Sequence, residues 1–472
     1  MTSQTVTRPN LVFLFADQLR ASALPAYGEH QIATPNIDRL AAEGTVLDNM
    51  IAGCPVCTPS RAMLLTGRHP QTTGHLMNSV RTRHSEISVA DTLAHAGYRC
   101  GWVGKWHLHT GVWPALNRQP MQPDWVPKGR DRLGFEYWRA YNQHMVFFDG
   151  FVQQGDWDYA QWKGYETDGL FEFGRDFLET GDDRPFALFL SPHQPHYTPG
   201  PFAPEAYYDR LPETLELPDN VPPELIGESL EMYRHYLAMI LALDDMLGRI
   251  FEDLEQRGLL DNTLIVFASD HGTQGGSQGI TPWMKKMPYE ASIRVPMMMR
   301  LPGVVPKGKR VPDLMAMVDV FPTLCGLFGL TVPRSVEGMD LSSAILGQPG
   351  PRRDEVYLMN FSAAYDWLEN GMEWRGVRTD EATYVEWLDG RRELFDLSAD
   401  PGQVTNLVGR ADAAGLETRM RERLAALMRR RGDRLGPISE LDTWFDEQRR
   451  VVRNAYGPLS HPESTPDWSL LS

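Results

Sequence analysis

The densest run of reactive side chains is Cys54-Pro55-Val56-Cys57-Thr58-Pro59-Ser60-Arg61, which continues to Thr66-Gly67-Arg68. Cys54 and Cys57 form a Cys-x-x-Cys pair, a spacing used by thiol redox sites and by half of a zinc site. A structural zinc would need two more ligands at comparable spacing, and Cys100 and Cys325 stand alone. The redox reading lacks the small-domain pattern that surrounds such a motif. Three further polar clusters stand out: Asp17-Gln18, Ser191-Pro192-His193-Gln194-Pro195-His196 and Ser269-Asp270-His271-Gly272. Taken singly, each has a plain structural reading. Asp17 and Asp270 could cap following turns, Lys105, Lys285 and Lys286 could be solvated, and His107 and His196 could be hydrogen-bonded with no chemical duty.

What joins the clusters is the kind of element that precedes each. Asn10 is followed by an unbroken apolar run from Leu11 to Ala16, and residues 185–190 and 263–268 repeat the pattern. Short apolar runs without alternation suit strands buried on both faces, as in a parallel sheet covered by helices. Ligands bind beyond the carboxyl ends of such strands, so three polar clusters at three strand ends are expected to meet at one site. Helices are expected over residues 34–43, 60–65, 88–96 and 229–256, the last ending at Gly258. Residues 109–165, rich in Trp, Pro, Gly and Tyr, show no period and read as loops.

Cys57-Thr58-Pro59-Ser60-Arg61 fits Cys-x-Pro-x-Arg, and on this segment the chain resembles the type I sulfatases of the alkaline-phosphatase superfamily. In that family the cysteine is oxidised during synthesis to Cα-formylglycine. Thr34-Pro35-Asn36-Ile37-Asp38-Arg39-Leu40, Gly104-Lys105-Trp106-His107, Pro195-His196, Asp270-His271-Gly272, Lys285 ahead of Tyr289-Glu290, and Leu394-Phe395-Asp396-Leu397 are similar to family stretches in the same order. The resemblance implies an α/β fold with a mixed, mostly parallel central sheet and a smaller carboxyl-terminal antiparallel subdomain. It also implies hydrolysis of aryl or sugar sulfate monoesters.

The roles below are those the resemblance implies. The hydrate of residue 57 attacks sulfur while Asp270 helps take its proton, and its second hydroxyl later expels sulfate by elimination. Arg61 pairs with the deprotonated diol, Lys105 and Lys285 bind non-bridging oxygens, His196 protonates the leaving group, and His107 is the base for elimination. One divalent cation is held by Asp17, Gln18, Cys57 as formylglycine, Asp270 and His271. Hard oxygen donors favour Ca²⁺, with Mg²⁺ possible and Mn²⁺ a rival because His271 adds a nitrogen. Gln18 replaces the second of two aspartates usual in the family, a feature similar to some phosphonate monoester hydrolases and choline sulfatases. Phosphonate monoester or phosphodiester hydrolysis is therefore the alternative, and a non-catalytic binder of sulfated ligands a third reading. Trp113, Tyr141 and Phe147 are candidates to line a leaving-group pocket, His109 and His193 to flank it, and Trp102, Trp106 and Trp283 to pack.

The 472 residues are 42% hydrophobic with a net charge of −16, which speaks against a nucleic-acid or anionic-membrane partner. Four cysteines and no apolar run of about 20 residues fit a cytoplasmic protein without a disulfide framework. The expected division is a catalytic domain over 1–365, a subdomain over 366–435 and a tail over 436–472. Strands at 375–379, 383–388 and 392–397, the last two joined by Asp389-Gly390, and a helix at 416–431 build the subdomain. The tail is either loose or an arm for a homodimer or homotetramer. A small sulfate ester and a maturation enzyme that makes formylglycine are the expected partners.

Overall fold

A computed structural model describes residues 8–109, 125–362 and 370–472. Among the described residues ten strands form one sheet: β1 (Asn10–Ala16), β2 (Thr45–Ile51), β3 (Arg99–Lys105), β4 (Tyr137–Tyr141), β5 (Phe151–Gln153), β6 (Tyr159–Gln161), β7 (Phe186–Ser191), β8 (Thr263–Ser269), β9 (Arg294–Arg300) and β10 (Lys309–Ala316). Their spatial order is β10-β2-β9-β8-β1-β7-β3-β4-β5-β6. The middle five, β8 to β4, run parallel, and antiparallel partners flank them on both sides. The fold is thus α/β with a mixed, mostly parallel centre.

Strand β1 explains why its apolar run has no alternation. Leu11, Phe13 and Phe15 point into one core, and Val12, Leu14 and Ala16 into the other. Each buried side chain contributes roughly 1.5–3 kcal/mol, so both faces need apolar residues. The long helix Ile226–Gln256 closes the second core with Tyr236, Leu237, Ile240 and Leu247. From that helix Asp244 accepts hydrogen bonds from the backbone N–H of Asn36 and Ile37 at 3.0 and 2.8 Å. It therefore caps helix Pro35–Glu43, whose Pro35 needs no donor partner at a helix start. The Thr34-to-Leu40 stretch is structural: it docks two helices.

Three expectations change here. Residues 109–165 are not all loop, because β4, β5 and β6 extend the sheet from within them. These strands are three to five residues long, too short for a periodic signal. The small antiparallel sheet has four strands, β11 (Val356–Asn360), β12 (Trp374–Arg378), β13 (Ala382–Trp387) and β14 (Arg392–Asp396), packed by helix Ala414–Arg430. Its first strand precedes the expected boundary, which itself lies outside the described residues. The tail is not a free arm: Ile438 and Val451 are buried, Asn454 Nδ2 donates to Thr72 O at 2.8 Å, and Arg83 Nη2 donates to Ser460 O at 2.8 Å. It packs on its own chain, which removes the tail as a reason to expect a homodimer or homotetramer. Among the described residues no helix is long and apolar enough to cross a membrane.

Candidate active site

Four of the five parallel strands deliver side chains to one point. Asp17 and Gln18 follow β1, Lys105 ends β3 with His107 just beyond, the turn to His196 follows β7, and Asp270-His271 follows β8. Gly104 lets β3 approach β7 this closely, since a Cβ there would stand 2.2 Å from Ser191 O. Gln18 and His107 both adopt left-handed backbone, φ 68° and 57°, a conformation that side chains rarely take outside tight functional turns.

Cys57 opens helix Cys57–Thr66, in which every residue is buried. Pro59 fits its first turn, where no donor is required. Thr58 Oγ1 donates to His107 O at 2.6 Å and Ser60 Oγ to Asp270 O at 2.5 Å, so the two hydroxyls clamp the helix to the β3 and β8 termini. The sequence reading assigned Thr58 and Ser60 no task. The only hint was their place inside the motif.

Around Cys57 Sγ stand Lys285 Nζ at 3.1 Å, His271 Nε2 at 3.2 Å, Asp17 Oδ1 at 3.8 Å and Lys105 Nζ at 3.9 Å. Lys285 Nζ also lies 2.8 Å from His196 Nε2, and Lys105 Nζ pairs with Asp17 Oδ2 at 2.6 Å. Burial opposes ionisation of Cys57, yet Lys105, Lys285 and His271 hold its thiol well below the ordinary value. Burial and the neighbouring Cys57 oppose the charge on Asp17, but Lys105 and Arg61 keep it anionic. Burial lowers His107 to about 4 and His196 to about 3, so both are neutral at pH 7 unless a bound anion raises them.

Arg61 is anchored between the two acidic strand ends. Its Nη2 donates to Asp17 Oδ2 at 2.9 Å, Nε to Asp270 Oδ2 at 3.1 Å, and Nη1 to Lys105 O and Ser191 Oγ, both at 2.9 Å. Wholly buried, it ties the two carboxylates together rather than reaching toward residue 57.

Residues 9–330 match the family model described as Sulfatase, and residues 279–430 match N-sulphoglucosamine sulphohydrolase, C-terminal. The chain belongs to the sulfatase family. It is 34% identical to an ulvan-active sulfatase of Formosa agariphila, covering 90% of this chain and 82% of that protein. It is 25% identical to an N-acetylglucosamine-6-O-sulfatase of Bacteroides thetaiotaomicron, over 95% of this chain and 91% of the relative. A putative sulfatase of Bacteroides fragilis superposes with a TM-score of 0.78 at 26% identity, covering 92% of this chain and 97% of the other. The activity is therefore hydrolysis of sulfate esters, and the family works with a divalent metal and a formylglycine.

The sulfatase has donors that fit such a metal. Ligand atoms of Asp17, Cys57, Asp270 and His271 all lie within 4.8 Å of one another. Gln18 Nε2 is fixed by Thr273 Oγ1 at 3.0 Å and Trp283 O at 2.9 Å, while its Oε1 is buried without a partner among the described residues. An orphaned amide oxygen beside two carboxylates is what a hard cation would satisfy. His271 Nδ1 lies 3.0 Å from Gly272 O, an acceptor only, so Nδ1 carries a proton; Asp270 and Cys57 also raise His271 against its burial, so Nε2 would release its own proton and turn a lone pair to the cluster only when a cation binds.

Other expectations need correction. Tyr141 and Phe147 do not line an open pocket: both are buried, and the Tyr141 hydroxyl donates to Glu166 and lies 2.7 Å from His193 Nδ1. Trp113 lies outside the described residues. Lys286 is not solvated but buried, and burial pulls it down to about 7. His193 sits behind the site, with Nδ1 3.1 Å from the buried Glu166 carboxylate. Trp102 and Trp106 pack as expected, their rings 5.0 Å apart. Trp283 does more than pack, since its carbonyl orients Gln18.

Proposed function

We propose that this chain cleaves the sulfate monoester of a sulfated sugar, with residue 57 as nucleophile in its formylglycine form. The observation that carries this reading is the pair of ammonium groups, Lys285 Nζ and Lys105 Nζ, at 3.1 and 3.9 Å from Cys57 Sγ. Cys57 Sγ marks where the oxygens of the converted side chain would stand. Two cations there suit a sulfuryl group whose oxygens carry negative charge throughout the reaction. The converted side chain supplies a geminal diol, one hydroxyl for attack on sulfur and a second whose proton loss releases sulfate.

Asp17, Gln18, Asp270 and His271 would hold the cation, Ca²⁺ by its preference for oxygen donors, with Mn²⁺ the rival because of His271. A cation held there would make a hydroxyl at residue 57 more acidic and would offset negative charge in the site. Lys105 and Lys285 orient the sulfuryl group. In the free site His196 Nε2 accepts from Lys285 Nζ; the negative charge of a bound sulfate ester raises His196, and the proton then taken up at Nε2 is the one given to the departing oxygen. His107 accepts the proton of the second hydroxyl. Arg61 keeps Asp17 and Asp270 in place. Cys57 is fully buried, so the maturation enzyme must reach it before the chain folds.

The sugar follows from what borders His196. Tyr197 is 42% exposed, and Phe202 and Trp283 stand behind it with centroids 6.0 and 5.6 Å from its ring. An aromatic wall beside a proton donor suits the apolar face of a pyranose. The relative acting on N-acetylglucosamine 6-O-sulfate supports the same class.

Peptide mass analysis of native protein should find residue 57 lighter by the difference between a thiol and an aldehyde. Turnover should rank a sugar sulfate above an aryl phosphonate. An intact thiol at full activity, or faster phosphonate cleavage, would overturn the reading.

A further inference from the structure

A cavity of about 260 Å³ lies where the small sheet and its helix meet the catalytic domain. Met63 of the nucleophile helix, His69, Arg352, Arg353, Arg431 and the edge of β11 line it, and no residue assigned above to catalysis or metal binding does. Arg423 and Arg430 complete a ring of five arginines against two lining carboxylates, Asp354 and Glu355. All five of these cations also hold a carboxylate. Arg353 is doubly bonded to Asp319, Arg431 Nη1 lies 3.2 Å from Glu337, Arg352 Nη1 2.7 Å from Asp313, and Arg423 and Arg430 share Glu355. A guanidinium has five donors, however, and Arg431 Nε is buried with no partner among the described residues.

His69 is the second observation. It is 4% exposed, its backbone N–H donates to Glu337 Oε2 at 2.7 Å, yet neither ring nitrogen has a partner among the described residues. A buried imidazole left unsatisfied on both nitrogens is costly, so it calls for something in the cavity to bond. Arginines on the other walls select the charge of that occupant.

We propose that this cavity is a second oxyanion site, in which a sulfate or phosphate group is held by Arg431, Arg353 and the Arg423/Arg430 pair with His69 as a hydrogen-bond partner. Sulfate would come from the reaction itself, phosphate from the medium. The two differ in chemistry: hydrogen phosphate can donate to the acceptor nitrogen of neutral His69, and sulfate cannot.

Equilibrium dialysis of the full chain with radiolabelled sulfate, and separately with phosphate, tests this. Saturable binding should persist in Lys285→Ala, where the catalytic pocket is weakened. It should be lost or fall at least tenfold in Arg431→Met, with kcat unchanged. The exposed pair Arg423→Ala/Arg430→Ala, which leaves the core intact, should weaken the same binding severalfold even if Arg431→Met folds poorly. The stronger of the two ligands identifies the source. Binding that disappears in Lys285→Ala and stays at native strength in the arginine variants would overturn the proposal.

Discussion

Arg61→Met separates two roles for one residue. The native guanidinium is wholly buried, packs over the Phe15 ring at 5.1 Å, and bonds both Asp17 and Asp270. Methionine keeps much of the stem and removes every donor. Asp17 still has Lys105 Nζ at 2.6 Å, so it retains a cation. Asp270 keeps the backbone N–H of Gln18 at 3.0 Å and of His271 at 2.8 Å, with His271 Nε2 3.6 Å away but no remaining lysine or arginine among the described residues paired with it. The unbalanced charge therefore falls on Asp270. Removing one partner of a buried pair costs about 3–5 kcal/mol, and the variant should lose that amount in urea unfolding with chelator present. A divalent ion supplies the missing positive charge, so added Ca²⁺ should narrow the gap between variant and native protein. Native urea midpoints in chelator, joined to lost turnover, would refute this account and return Arg61 to the substrate's side of the reaction.

His196→Asn should slow hydrolysis of a sugar sulfate by 10²–10⁴-fold but spare an aryl sulfate with an acidic phenol, because only the poor leaving group needs a proton; equal losses on both substrates would remove His196 from that role. Stripping divalent ions should abolish turnover and lower the melting temperature together, with Ca²⁺ restoring both; unchanged turnover in chelator would exclude the metal assignment. Gly104→Ala should disrupt the β3–β7 contact and cost several kcal/mol, since its Cβ would meet Ser191 O at 2.2 Å, and a near-native melting temperature would contradict that geometry. Burial lowers His75 to about 3, so the fold holds it neutral. Its contribution is complete above the unfolded value near 6.5 and is lost as pH falls below it, about 2 kcal/mol between pH 7 and pH 5. In His75→Gln that acid-induced loss should shrink by the same amount in urea titrations at the two pH values; an unchanged slope would show that His75 is charged in the fold.

Legibility in this sequence followed the range of the forces involved. Runs such as Leu11 to Ala16 announced buried parallel strands because both faces of β1 meet a core, and the residues just beyond those runs had to share a site. Asp17, His196 and Asp270 could be found that way with no three-dimensional information. Partner identity could not. Nothing along the chain says that Arg61 serves two carboxylates 44 and 209 positions away, or that Thr58 and Ser60 spend their hydroxyls on the carbonyls of His107 and Asp270. Short edge strands were hidden for a related reason. Tyr159–Gln161 offers three residues and one pairing partner, so its structure comes from β5 and not from its own pattern. The tail misled by composition: Pro, Trp and charge read as a loose arm, yet Val451 is buried and Asn454 bonds Thr72 O. The catalytic machinery was readable because it hangs on strand termini. What orders it is a set of buried long-range hydrogen bonds, and those become visible only when the chain is folded.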